Sequence, residues 1–290
     1  MNLETLHQYA AQMLDQNVGS GGTMTSPTPG LLLLRATRPT PLEGTVYEPV
    51  VCLILRGRKR TTAGSMAVEF GPGESLIVSH ALPVLSQVTE CPYLAMTLAL
   101  DIGILRSLVD QIDERADTGA RAATLDVERT EELLIEALIR YVTVAGSPTE
   151  ARVLAPLVLR EIHFRLLMAP HGGMLRKLLR ADSTASHIHR AVREIRENFR
   201  STLSVPRLAR RIGMSESAFH RHFKSITGTT PLQYQKTMRL FEARRLISAE
   251  GYGVSRAAIE VGYASPTQFS REYSREFGVA PRVHTAVAAR

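Results

Sequence analysis

The chain has 290 residues, of which 44% are apolar and 22% charged, a balance that predicts about two globular domains and argues against disorder. No stretch approaches the roughly 18 consecutive apolar residues of a membrane span, and two cysteines, Cys52 and Cys91, cannot build a disulfide framework or a four-ligand zinc site. The net charge of +7 is uneven: residues 1–180 hold 17 Lys+Arg against 19 Asp+Glu, a net −2, while residues 181–290 hold 18 against 9, a net +9. Such a basic block suits a polyanion, because neutralised phosphates release counterions, although a solvated surface has the same charge.

Residues 1–20 read as a short amphipathic polar segment without the basic start and apolar core of a signal peptide, so a cytoplasmic protein is expected. Over residues 30–101, apolar and β-branched runs at Thr45–Leu55, Met66–Phe70, Glu74–Ser79, Val84–Val88 and Tyr93–Leu100 alternate with turn residues such as Gly71-Pro72-Gly73. That spacing predicts a small antiparallel barrel or sandwich. Both alternating faces of Val50–Leu55 are apolar, so this strand is expected to be covered on both sides, as in a barrel with a filled or ligand-holding interior. The basic run Arg56–Arg60 reads as a solvated hairpin tip.

From Asp126 the period becomes helical. Val127, Leu133, Leu134, Ala137, Leu138 and Tyr141 share one face, Gly146-Ser147-Pro148 interrupts, and Val153, Leu157, Val158, Ile162 and Leu166 continue on a second helix. The pair predicts a helical hairpin over 126–167 that packs on the barrel, on a second subunit, or on both. Pro170-His171-Gly172-Gly173 and the polar stretch Arg180–Ser186 read as a linker. The expected division is therefore 1–169, a linker at 170–186, and a basic domain over 187–290.

The basic domain repeats itself. A shift of 49 places Val205 on Val254, Ala209 on Ala258 and Gly213 on Gly262, and a shift of 50 pairs Ser215 with Ser265, Phe219 with Phe269, Arg221 with Arg271, Phe223 with Tyr273, Gly228 with Gly278 and Pro231 with Pro281. Each unit reads as a short helix, a glycine turn and a second helix with a serine N-cap, Ser215 or Ser265, and Pro266 and Gln268 complete the capping pattern in the second unit. This is a helix-turn-helix unit present twice, with Thr230-Pro231 opening a longer helix between the copies. At 100° per residue Phe219, Phe223 and Ile226 fall on one face; Ser217, Arg221 and Lys224 lie opposite, flanked by His220. In the second copy Phe269 and Tyr273 turn inward while Thr267, Arg271 and Ser274 point away, flanked by Gln268 and Ser270. Groups able to reach base edges or phosphates thus occupy both outward faces.

At these residues the chain resembles the AraC family of bacterial transcription regulators. Ser204–Ala209, Ser215–Phe223, Arg239–Leu246, Gly262–Ser265 and Phe277–Pro281 carry the likeness over about residues 187–283. The resemblance implies an α+β protein that binds double-stranded DNA, with two helix-turn-helix units on a rigid linker helix entering successive major-groove segments and RNA polymerase as a further partner. It aligns Ser217, His220 and Arg221, and Thr267, Gln268 and Arg271, with the family's base-reading positions; Lys224 and Ser270 complete the expected DNA-facing set. Glu48–Lys59, Phe70–Glu74 and Leu82-Pro83-Val84 are similar to the subgroup with a cupin-like sensor barrel, which implies a small-molecule effector and a homodimer formed through the hairpin.

Other chemistries find little footing. His80 is the only histidine of the β-rich region and His187 and His189 diverge on a helix, so a cupin-type metalloenzyme lacks its ligands, and neither a metal nor a cofactor is expected. An effector-independent architectural DNA binder is the remaining alternative. Cys52, inside an apolar strand, reads as a small hydrophobe, and Cys91, beside Pro92 at a strand edge, as the more exposed thiol.

Overall fold

The computed structural model describes residues 2–18, 23–28, 30–112, 124–180 and 182–285. Its first half is an antiparallel β-sheet with helices and its second half is all helical, α+β overall. Among the described residues no helix is long and apolar enough to cross a membrane.

The amphipathic N-terminus forms α1 (Leu3–Val18), which buries Leu6, Ala10, Met13 and Leu14. Among the described residues eight strands follow: β1 (Met24–Thr28), β2 (Leu31–Ala36), β3 (Glu43–Tyr47), β4 (Val50–Ala63), β5 (Met66–Phe70), β6 (Glu74–Val78), β7 (Leu82–Ala99) and β8 (Leu125–Arg129). They pair in the order β1-β2-β7-β4-β6-β8, with β3 on β7 and β5 on β4. The two long strands organise the sheet. β4 pairs with β6 through Val50–Leu53 and with β5 through Lys59–Ala63, and register shifts between Ile54 and Lys59 bend it where it changes partner.

Several sequence expectations change here. Thr45–Leu55 is two strands, because Glu48-Pro49 interrupts it and proline brings no N–H to a ladder. Val84–Val88 and Tyr93–Leu100 are one strand, β7. Arg56–Arg60 lies inside β4 and not at a hairpin tip; Arg58 faces Glu90 at 3.4 Å, Arg60 faces Glu69 at 2.8 Å and Lys59 donates to the Tyr47 hydroxyl at 2.7 Å. Asp126 and Val127 belong to β8, paired with Ile77 and Leu76, because the segment completes the sheet before the helical period begins.

The helical pair then starts at α3 (Glu132–Ala145), after α2 (Ile102–Val109). Its second arm is divided at Leu154 into α4 (Pro148–Val153) and α5 (Ala155–Met168). This division leaves Val153 and Leu157 exposed, 64% and 65%, while Ile162 and Leu166 are fully buried. Residues 170–172 form a 3-10 turn, and α6 (Gly173–Leu179) buries Met174, Leu175 and Leu178, so the segment expected as a linker contributes to the core.

Both faces of Val51–Leu55 are covered, as their composition predicts. Val51, Leu53 and Leu55 join a cluster with α1, α3 and α5. Cys52 and Ile54 face the other way, into a cluster with Phe70, Leu76, Val84 and Ala95 that continues without a break into the C-terminal helices through Ile188, Val192, Phe219, Phe223 and Tyr234.

Those helices are α7 (Thr184–Glu197), α8 (Val205–Arg211), α9 (Glu216–Thr227), α10 (Pro231–Ser248), α11 (Val254–Glu260), α12 (Pro266–Phe277) and α13 (Pro281–Thr285). Between the repeats, α10 is held by Arg239. Its guanidinium donates to the carbonyls of Phe199 (2.7 Å), Arg200 (3.0 Å), Ser201 (2.9 Å) and Gly262 (3.0 Å). Gln235 adds bonds to Phe199 and Ser201. Gly262 turns at φ +90°, and a side chain there would put Cβ 2.1 Å from the Arg200 carbonyl, so the close approach that Arg239 spans requires glycine.

Two predictions follow from this packing. Arg239→Met leaves four carbonyls without their shared donor and should lower unfolding free energy by about 2–3 kcal/mol in urea titrations; an unchanged midpoint contradicts the clamp. Burial holds the ring of His80 at a pKa of about 4, below its ordinary 6.5. The unfolded chain therefore takes up this proton first, and the stability contributed by the neutral ring declines as pH falls from about 6.5 towards 4. Between pH 7 and 5 the His80→Gln variant should lose stability less steeply than the parent, and equal slopes contradict the assignment.

Candidate DNA-binding surface and the sensor contacts behind it

Each candidate recognition helix is started by a serine and stopped by a glycine. The Ser215 hydroxyl accepts from the Ala218 amide and the Ser265 hydroxyl from the Gln268 amide, both at 3.3 Å, and Gly228 and Gly278 end α9 and α12 in the left-handed conformation. Phe219 and Phe223 on α9 and Phe269 and Tyr273 on α12 are fully buried. Their rings meet edge-on or tilted, with centroids 5.4 Å apart in each pair. Burying one face completely orients the other.

On that other face Ser217, Arg221 and Lys224 of α9 and Thr267, Gln268 and Arg271 of α12 are exposed, and His220 and Ser270 are half-buried. Ser270 donates to the Pro266 carbonyl at 2.9 Å, and Gln268 donates to Glu272 at 3.2 Å. Arg221, Lys224 and Arg271 have no carboxylate partner among the described residues. Other cations of this half are paired: Arg196 forks onto Glu48, Arg211 pairs with Glu194 at 2.7 Å, Lys236 with Glu272 at 2.9 Å, and Arg245 with Glu242 and Glu250 at 2.8 and 2.7 Å. Arg221, Lys224 and Arg271 thus leave unpaired cations on the outward faces of α9 and α12.

Behind α9 lies the sheet. The Tyr234 hydroxyl, fully buried at the start of α10, donates to the Ala81 carbonyl at 2.8 Å, and its ring packs edge-on against Phe223 at 5.7 Å. The Gly228 carbonyl accepts from both the amide and the hydroxyl of Ser65, at 3.0 and 3.1 Å, and the Thr124 hydroxyl donates to the Ile226 carbonyl. Gly64 turns at φ +57°; a Cβ there would stand 2.4 Å from the Gly228 carbonyl. The imidazole of His80 bridges the Ser79 hydroxyl (2.9 Å) and the Ala185 carbonyl (3.2 Å), a structural role that uses both nitrogens. Sequence reasoning missed these contacts and the Arg239 clamp. Most of their acceptors are backbone carbonyls, which carry no side-chain signature.

Within the sheet domain Lys59, Tyr47, Cys52 and Tyr93 form a small polar group. Burial favours the neutral amine of Lys59, but Tyr47 and Cys52 outweigh it and hold the ammonium's pKa above its ordinary value. The Tyr93 hydroxyl is buried without a hydrogen-bond partner, and burial pushes its pKa up. Cys52 is buried, with its thiol likewise pushed up, so it is a poor source of thiolate; Cys91 is half-buried.

Residues 27–174, about half of the chain, match the family described as the AraC-type transcriptional regulator N-terminus, and residues 208–285 match a helix-turn-helix domain family. The activator RclR of Escherichia coli K12 is 38% identical over 78 residues, 27% of this chain and 28% of that protein. ExsA of Pseudomonas aeruginosa is 26% identical over 129 residues, 44% and 46% of the two chains, so the likeness spans less than half the length of these curated relatives. A probable thc operon regulatory protein of Rhodococcus erythropolis is 25% identical over 240 residues, 78% of this chain and 72% of its own. The fold is that of ToxT from Vibrio cholerae in its unsaturated-fatty-acid-bound structure, with a TM-score of 0.57 at 10% identity over 91% of this chain and 98% of that one. With both halves matched in this order, the chain belongs to the AraC-type transcriptional regulators, a family of regulators and not of enzymes.

Proposed function

We propose that this chain binds a specific operator in double-stranded DNA and that a small molecule taken up by its sheet domain adjusts that binding. The observation that carries the reading is the equivalence of Arg221 and Arg271. They occupy the same place in the two repeats, both are exposed and unpaired, and each stands on a helix whose opposite face is fully buried. Arginine in that setting reads guanine through two parallel hydrogen bonds in the major groove. Ser217, His220, Thr267, Gln268 and Ser270 form the rest of the base-facing and backbone-facing set, with Lys224 on phosphate.

In this reading residues 1–169 sense, 187–290 bind DNA, and 170–186 join them through α6. The exposed Leu133, Val153, Leu154 and Leu157 on α3–α5 support a homodimer through that face. For the effector, the buried and unpartnered Tyr93 hydroxyl and the nearby Lys59 ammonium favour a molecule with a hydrogen-bond-accepting or anionic head and an apolar body. ToxT has been solved with an unsaturated fatty acid bound, a ligand of that general character. The effector shifts a population only through unequal affinity for two arrangements of sensor and reader.

Arg221→Ala and Arg271→Ala should each weaken operator binding by about 1–3 kcal/mol in fluorescence-anisotropy titrations. Lys224→Ala should weaken all duplexes alike and reduce the salt slope by about 1. Parent-like binding by both arginine variants contradicts the recognition-helix assignment. In the effector-free protein, Tyr93→Phe removes a buried hydroxyl that has no partner, so unfolding free energy should rise by about 1 kcal/mol; a fall shows that the hydroxyl is already satisfied.

A further inference from the structure

A cavity of about 500 Å³ lies between α2 and α6 on the sensor side and α7 on the DNA-binding side, and its lining includes no residue of the Lys59 group, α9 or α12. Its charged lining is Arg106 and Asp110 from the end of α2 and Arg190 and Arg193 from α7, with His189 between them. Three guanidinium groups against one carboxylate leave a charge of +2. Arg106 and Arg190 have no ion-pair partner among the described residues, and Arg193 has only the exposed Glu197 at 3.8 Å. The His189 Nδ1 is buried and without a hydrogen-bond partner. Burial, then Arg193, Arg106 and Arg196 in that order, disfavour protonation of this ring, against Glu48.

Arg106, Arg190 and Arg193 are exposed, so water screens part of their mutual repulsion, and an anion placed between them relieves the rest. Among the described residues only one carboxylate, Asp110, lines this space. Apart from Ser186, the rest of the cavity wall is apolar, formed by Ile102 and Val109 of α2 and Leu178 and Leu179 of α6. A charge of +2 beside an apolar wall matches a ligand that is a dianion at one end and apolar at the other. Guanidinium forks match the oxygens of phosphate in geometry as well as in charge.

We propose that this cleft binds a small organic phosphate, with the phosphoryl group between Arg106, Arg190 and Arg193 and the apolar body against Ile102 and Leu178. A ligand held in this way ties α2 of the sensor to α7 of the DNA-binding half. The site is separate from the effector group around Lys59 and Tyr93, so it stands whether or not that group takes a ligand.

The test uses the full chain and 1-naphthyl phosphate, followed by its own fluorescence, with 1-naphthol and inorganic phosphate as the two halves of the probe. The parent should bind naphthyl phosphate at least tenfold more tightly than either half. The double variant Arg106→Gln/Arg190→Gln should bind it at least tenfold more weakly, while a charge-matched control, Arg38→Gln/Arg152→Gln, should bind like the parent. Equal binding of naphthol reduces the cleft to an apolar crevice, and equal binding of inorganic phosphate reduces it to a free-anion site; either overturns the proposal. It is also overturned if the parent does not bind the probe at millimolar concentration, or if duplex DNA displaces the probe and the double variant loses DNA affinity in step, since the arginines would then serve the DNA backbone.

Discussion

One apolar core is shared by two domains, and the rest of the molecule is arranged around that fact. Alternation along β4 sends Val51, Leu53 and Leu55 to the helices of the sensor and Cys52 and Ile54 to the opposite side. On that side the buried cluster passes directly into Ile188, Val192, Phe219, Phe223 and Tyr234. The first helix-turn-helix unit therefore shares its packing with the sheet. Burying apolar surface sets the energy scale of the contact but not its register. Register comes from polar contacts with single geometries: Tyr234 on the Ala81 carbonyl, His80 on the Ala185 carbonyl and Ser65 on the Gly228 carbonyl.

The second unit depends on the first through α10. Leu240, Ala243, Leu246 and Ile247 pack with Phe269 and Tyr273 in a separate core, and Arg239 fastens the turn at Gly262 to the end of α7. A change at the sheet thus has a contiguous physical route to α12: from the sheet to α9 and α10, and from α10 through Arg239 to the second turn. In the proposed reading, an effector that altered how the sheet holds Gly228 and Tyr234 would bias both recognition helices together, as a reader of two groove segments requires.

The repeat, its caps and the inward and outward faces of α9 and α12 were legible in the sequence because each is a local pattern: a serine three residues before the amide it accepts from, a glycine at a left-handed end, aromatics at helical spacing. The two-sided burial of Val50–Leu55 was legible for the same reason. Leu125–Arg129 was misread because five residues between a turn and a helix show too few periods to separate strand from helix. Arg56–Arg60 was misread because charge suggests a tip, whereas cross-strand carboxylates at Glu69 and Glu90 let it run through the middle of a strand. The interdomain contacts were invisible, since carbonyls at Ala81, Ala185 and Gly228 accept bonds regardless of their side chains. Not all of the +9 over residues 181–290 faces DNA: Arg196 is committed to Glu48 of the first half and Arg239 to backbone carbonyls.

The central claim is that the two outward faces read sequence as one unit. The most direct measurement is fluorescence-anisotropy binding of the full chain to DNA from its gene's own upstream region and to a scrambled duplex of equal length, across a salt series. The account predicts a preference of about a thousandfold or more for the upstream DNA at physiological salt. Equal and steeply salt-dependent binding to both duplexes would contradict it, and would leave the basic face of α9 and α12 as a sequence-blind surface for phosphate.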